Sequence, residues 1–169
     1  SHDSWFRPVQ LSNGPDGALY VVDMYRELIE GAAFVPKGSL TQLDPSRGVA
    51  RGRIYRIVPR TFRRRSEHQF AGASAKELVG LLDHANGWHR DTAARLILEQ
   101  DCFQAIGPLQ RLARDSESPR SRLLALYNLA SLRALEPSLL RSALDDADPR
   151  VRQHAIRLAE SRLASSPSL

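Results

Sequence analysis

Apolar and polar residues alternate with two different periods along this chain, and the change from one to the other falls near residue 70. Before it, Val9 to Leu11 and Ala18 to Asp23 are short β-rich runs on either side of Asn13-Gly14-Pro15-Asp16-Gly17. Proline presets φ for a turn and glycine accepts positive φ, so the stretch predicts a β-hairpin in which Asp16 caps its own loop. "GRIYRIV", Gly52 to Val58, predicts a third strand with Arg53, Tyr55 and Ile57 on one face and Ile54, Arg56 and Val58 on the other. The long connection from Arg26 to Arg51 has little periodicity, and we expect it, with residues 164–169, to be the most mobile part of the chain.

From Ser74 the period becomes helical, opening on Ser74-Ala75-Lys76-Glu77, a capping-box pattern. Expected helices run over about 75–84, 88–100, 105–114, 119–133, 137–145 and 149–163. Proline stands at the predicted first helical position at Pro119, Pro137 and Pro149, where its missing N–H is no loss. These segments repeat. Aligning "LLDHANGWHRDTAARLI", "LARDSESPRSRLLALYNL" and "ALDDADPRVRQHAIRLA" puts Asp83, Asp115 and Asp145 in one column, and Arg90, Arg122 and Arg152 in another. Ala93, Ala125 and Ala155 form a third. A spacing of 32 and then 30 residues predicts a mainly α chain: a HEAT-like α-solenoid of about three helix pairs behind a small antiparallel β segment. The Asp and Arg columns are expected to form a structural ladder of charge-assisted hydrogen bonds between successive pairs.

Three strands bury little on their own, so the β segment reads as part of a larger sheet structure. The domain division is 1–65 for the β segment, 66–73 for a linker and 74–169 for the repeats. With 169 residues, 42% hydrophobic and 25% charged, the composition is globular. No apolar run approaches the roughly 20 residues of a membrane span, and Ser1 to Arg7 shows no signal-peptide pattern. The single cysteine, Cys102, excludes an internal disulfide and a two-cysteine haem attachment within this chain, and reads as a small apolar residue near a helix end.

Charge adds an asymmetry. The net +5 of the whole chain lies in residues 1–65, where 11 basic residues meet 6 acidic ones, and eight arginines with no acid fall between Arg47 and Arg65. Such a run could bind phosphate, but it lacks the interleaved aromatic residues of a nucleic-acid platform, so nucleic acid is an unfavoured partner. In "DHANGWHRD", His84 and His89 are five apart across a helix break, unlike a zinc-binding i, i+4 pair, and Trp88 reads as core. His68 and His154 read as isolated surface or satisfied histidines. Asp23 ends a strand with Tyr25 and Arg26 after it and Arg7 and Glu30 nearby in the pattern. Strand ends commonly carry ligand sites, although a strand-terminating Asp23 paired with Arg26 or Arg53 is the simpler expectation.

Three stretches in this order, "FRPVQLSNGPDGALYVVDMYR", "RGRIYRIVP" and "LLDHANGWHRDTAARLILEQ", resemble the bacterial membrane-bound dehydrogenase family, whose propeller is similar to those of quinone-dependent glucose and sorbosone dehydrogenases. The likeness covers roughly residues 5–135; the third helix pair resembles a short bacterial HEAT repeat. It implies a β-propeller followed by HEAT-like repeats in an exported, periplasmic protein that oxidises a sugar or alcohol, with pyrroloquinoline quinone and calcium as the expected cofactors of the parent. This chain holds about one blade, so the resemblance makes it a C-terminal fragment without cofactor or catalysis of its own. Its repeats would then dock to a protein or to the propeller. Arg7, Asp23, Tyr25 and Arg26 are the residues it places near a propeller mouth. Two other classes stay open: a stand-alone protein-binding HEAT scaffold, and nucleic-acid binding through residues 47–65.

Overall fold

The computed structural model describes residues 2–29, 34, 36, 38, 44, 46–63 and 70–163. Within the expected 26–51 connection residues 30–33, 35, 37, 39–43 and 45 lie outside these residues, Glu30 among them, as do 64–69, which include Arg64, Arg65, His68 and half of the expected 66–73 linker, and residues 164–169. The chain divides into two compact units, Ser1–Glu67 and His68–Leu169. It is mainly helical, with a small sheet at its beginning.

The first unit is an antiparallel sheet in the order β1 (Pro8–Asn13), β2 (Leu19–Asp23), β3 (Arg53–Ile57). The hairpin turn closes where the sequence predicts. The Gly14 amide donates to the Ala18 carbonyl at 2.9 Å, and Gly17 takes φ +82°, open to glycine at no steric cost. Leu11, Val21 and Tyr55 are cross-strand partners and share one face; Val22 pairs with Gln10 and Ile54 on the other. The register slips between Pro8 and Gln10, as at a bulge. Phe6 packs against Tyr55 on the first face, with ring centroids 5.9 Å apart, and Val21 there is buried while Ile54 opposite is exposed.

The second unit is built of α1 (Ala75–Leu81), α2 (Gly87–Glu99), α3 (Ile106–Asp115, entered through a 3-10 turn at Phe103–Ala105), α4 (Pro119–Ser131), α5 (Pro137–Leu144) and α6 (Pro149–Leu163). Every start but that of α3 has a local cause in a cap or a proline. Ser74 and Glu77 form the predicted capping box, Asn86 accepts from the Trp88 amide at 3.1 Å, and Ser118 accepts from the Ser121 amide. Pro119, Pro137 and Pro149 open their helices. Between pairs the chain turns through Asp101 (φ +44°) and Arg133 (φ +56°), left-handed positions just past α2 and α4. One core runs through this unit, from Leu78 and Leu82 through Ile97, Leu109, Leu126 and Leu129 to Leu140 and Val151. Cys102 packs at its edge, as a small apolar residue there is expected to do. No helix among the described residues is long and apolar enough to cross a membrane.

Candidate functional site

The strand-end residues come together around the end of β2. Asp23, only 1% exposed, accepts the Arg7 amide at 2.7 Å and the Tyr25 amide at 2.9 Å through the same carboxylate oxygen, Oδ1. Its Oδ2 has no hydrogen-bond partner. The expected pairing of Asp23 with Arg26 or Arg53 is therefore corrected: the carboxylate ties two backbone segments. Asp23 is the cross-strand partner of Arg53, yet the Arg53 guanidinium lies over the Tyr25 ring, 3.5 Å from its centroid, and donates to the Tyr55 hydroxyl at 3.2 Å. Trp5 meets the same tyrosine, with ring centroids 5.7 Å apart. Tyr25 holds φ +47°, and the Arg7 guanidinium donates to the Glu27 carbonyl.

Gly48 packs closely against the backbone of Tyr25 and Arg26. A Cβ at Gly48 would stand 2.6 Å from the Tyr25 carbonyl oxygen and 3.2 Å from the Arg26 Cα, at φ +88°, so only glycine lets the turn at 46–50 close here. Trp5 was not foreseen at this end of the sheet, and Arg53 was expected there only as a partner of Asp23; the register of "GRIYRIV" against "ALYVVD" sets it opposite. The cluster presents a guanidinium–aromatic surface with a carboxylate buried behind it. Among the described residues it has no nucleophile paired with a base.

Asp16 behaves as the turn former it was expected to be. Its Oδ1 accepts the Ala18 amide at 2.9 Å, and its Oδ2 accepts from Tyr20 at 3.1 Å and from Arg56 at 2.6 and 2.7 Å. The Ala18 amide first, with Arg56 and Tyr20, holds the carboxyl below its ordinary value. Arg47 similarly faces Glu27 and Asp44 at 3.7 and 3.8 Å. Of the basic run, Arg47, Arg53 and Arg56 are thus engaged within the unit, while Arg51, Arg60 and Arg63 are exposed.

At the repeat turns the two columns separate. All three arginines do one job: Arg90 donates to the His84 and Ala85 carbonyls at 2.6 and 2.8 Å, Arg122 to Ser116 at 2.7 Å, and Arg152 to Asp146 and Ala147 at 2.7 and 3.0 Å. In each pair the guanidinium braces the turn carbonyl six residues earlier. The aspartates do not form the expected rungs with them. Asp83 accepts from Ser121 of the following pair, and no arginine reaches Asp115 or Asp145 among the described residues. Of the column arginines, Arg122 reaches the next pair, and it does so through Asp146, which it grips with two bonds of 2.7 and 2.6 Å, both side chains nearly buried. Arg122 holds the Asp146 carboxyl below its ordinary value.

His84 and His89 stand with ring centroids 4.3 Å apart, and His89 is buried in a stack with Phe70 (5.7 Å, 15°) beside the edge of Trp88. Trp88 and His89, at the start of α2, pack together with Phe70 and His84. His154, expected to stand alone, has its Nδ1 2.7 Å from the Tyr127 hydroxyl. No group of three or more metal-ligating side chains occurs among the described residues.

Residues 1–61 match a family described as a domain of unknown function, DUF7133. The DUF7133 region thus takes in the whole sheet and the strand-end cluster, and stops before the helical repeats. No curated protein and no solved structure matches the chain.

Proposed function

We propose that this chain joins the closing part of a β-propeller to a HEAT-like α-solenoid docking module, and that it is the C-terminal part of an exported quinone-dependent sugar or alcohol dehydrogenase-like protein. One observation carries the propeller half. Among the described residues, nine of the twelve exposed large hydrophobics lie in the first unit, including Val9, Leu11 and Ile54, whereas of the 22 buried ones Ala18, Val21 and Leu28 do. A sheet this open is marginal in water, and adjoining strands would cover it. The resemblance of "FRPVQLSNGPDGALYVVDMYR" and "RGRIYRIVP" to propeller dehydrogenases supplies what those strands belong to. The solenoid half rests on the three helix pairs, the shared core and the arginine brace at the turn within each pair.

On this reading residues 1–65 are blade, 66–73 linker and 74–169 repeats, and Arg7, Asp23, Tyr25 and Arg26 sit near the propeller mouth. On the same reading the quinone and calcium of the parent are held by residues outside this chain; here Asp23 spends one oxygen on backbone amides. The chemistry is assigned to other blades of a periplasmic parent, and the fragment alone is inactive.

Sequencing the coding DNA on both sides of this segment tests the reading. Several upstream strand-turn-strand blades behind a signal peptide are expected. A start codon just before Ser1 and a stop after Leu169 would sink it and favour the stand-alone scaffold, for which the self-contained core of the helical unit already speaks. Dye reduction by the purified chain with pyrroloquinoline quinone, calcium and a sugar panel is expected to be absent; turnover would overturn the assignment of catalysis elsewhere.

A further inference from the structure

We propose that the groove between α1 and α3 takes an extended segment of a partner protein that carries a lysine or arginine beside an apolar side chain. This rests on the docking role proposed above and gives it a place and a chemistry. The groove has a volume of about 730 Å3. Its walls are the same stripe one repeat apart: positions 76, 79, 80 and 83 on one side and 108, 111, 112 and 115 on the other, each an i, i+3, i+4, i+7 set.

Gly80 is the first argument. A glycine inside a helix costs about 1 kcal/mol relative to alanine. Here neither packing nor backbone asks for one, since a Cβ on Gly80 would meet nothing within 4 Å and its φ is not in the left-handed region. Its bare backbone leaves the floor open between Val79 and Leu112. An apolar side chain from outside fits that opening.

Charge decides what lies next to it. Asp83, Asp115 and Glu117 gather where α1 and α3 end, and helix C-termini add their own partial negative charge. Neither Asp115 nor Glu117 is ion-paired among the described residues. Arg111, one turn before Asp115, does not pair with it, and Lys76 stands about two turns from Asp83, at the other end of α1. A cationic side chain is attracted to this end, and an acidic peptide is repelled.

The test is fluorescence anisotropy of the whole chain against a labelled peptide of repeated Ala-Leu-Lys, with the Ala-Leu-Glu peptide as control. Saturable binding of the lysine peptide alone is expected. Gly80→Gln, which fills the groove and improves helix propensity, weakens it about tenfold, as does Asp115→Asn combined with Glu117→Gln. Asp91→Asn combined with Glu99→Gln, outside the groove, leaves it unchanged. Thermal melting by circular dichroism checks that Gly80→Gln is folded. No binding, or equal weakening by the outside pair, overturns the proposal. Neither result bears on the flanking DNA, so the two readings fail separately.

Discussion

At the scale of single residues, Asp23 shows how a side chain with catalytic looks can serve the backbone. One of its oxygens joins the residue entering β1 to the residue leaving β2. Asp23→Asn keeps an acceptor in that place, whereas Asp23→Ala strands two amides at a cost of about 1–3 kcal/mol each. Hydrogen exchange of the Arg7 and Tyr25 amides should stay slow in the first variant and accelerate in the second; equal rates would show that the carboxylate does not hold them. Gly48→Ala is expected to open the same region, because its Cβ would collide with the Tyr25 carbonyl oxygen at 2.6 Å. Arg122 carries the comparable load in the helical unit. Arg122→Ala leaves Asp146 uncompensated and the Ser116 carbonyl without its donor, and is expected to cost about 3 kcal/mol, read from chemical denaturation.

Elements were the most legible part of the sequence. The helix starts at 75, 119, 137 and 149 agree with expectation because caps and prolines are local signals. Ser74→Ala removes the side-chain half of the capping box and keeps the backbone N–H to Glu77 bond, and a loss of about 1 kcal/mol in the stability of the helical unit checks its contribution. The strands were legible from the turn between them. Partners were not. Aligned columns say which positions are equivalent, but at a helix end one residue's step swings a side chain through about 100°. Asp145 stands in the aspartate column, and its neighbour Asp146 makes the bond to Arg122. The Asp23 pair was misjudged for a related reason: residues opposite one another across a ladder need not join side chains when a ring such as Tyr25 lies closer to the cation.

For the whole molecule the carboxylates set the acid limit. Asp146 is held below its ordinary 3.8, chiefly by its bonds to Arg122, and Glu77 below 4.5 by Ser74. In the unfolded chain both protonate at higher pH than in the folded one, so the folded state binds fewer protons through that range. Their stabilisation is complete above the ordinary values and declines as the pH falls below them. The helical ellipticity of the chain is expected to melt at a lower temperature at about pH 3 than at about pH 6. Asp146→Asn should flatten that dependence; a slope unchanged in the variant would place the acid sensitivity elsewhere.

The arginine brace has a consequence for how such a chain can change over time. Its acceptors are main-chain carbonyls, which every residue supplies, and the three braced turns here read His84-Ala85, Ser116 and Asp146-Ala147, with no residue type common to all of them. A turn held in this way can drift in sequence without losing its support, provided the guanidinium stays in place. A duplicated helix pair would arrive with its own fastening already built in.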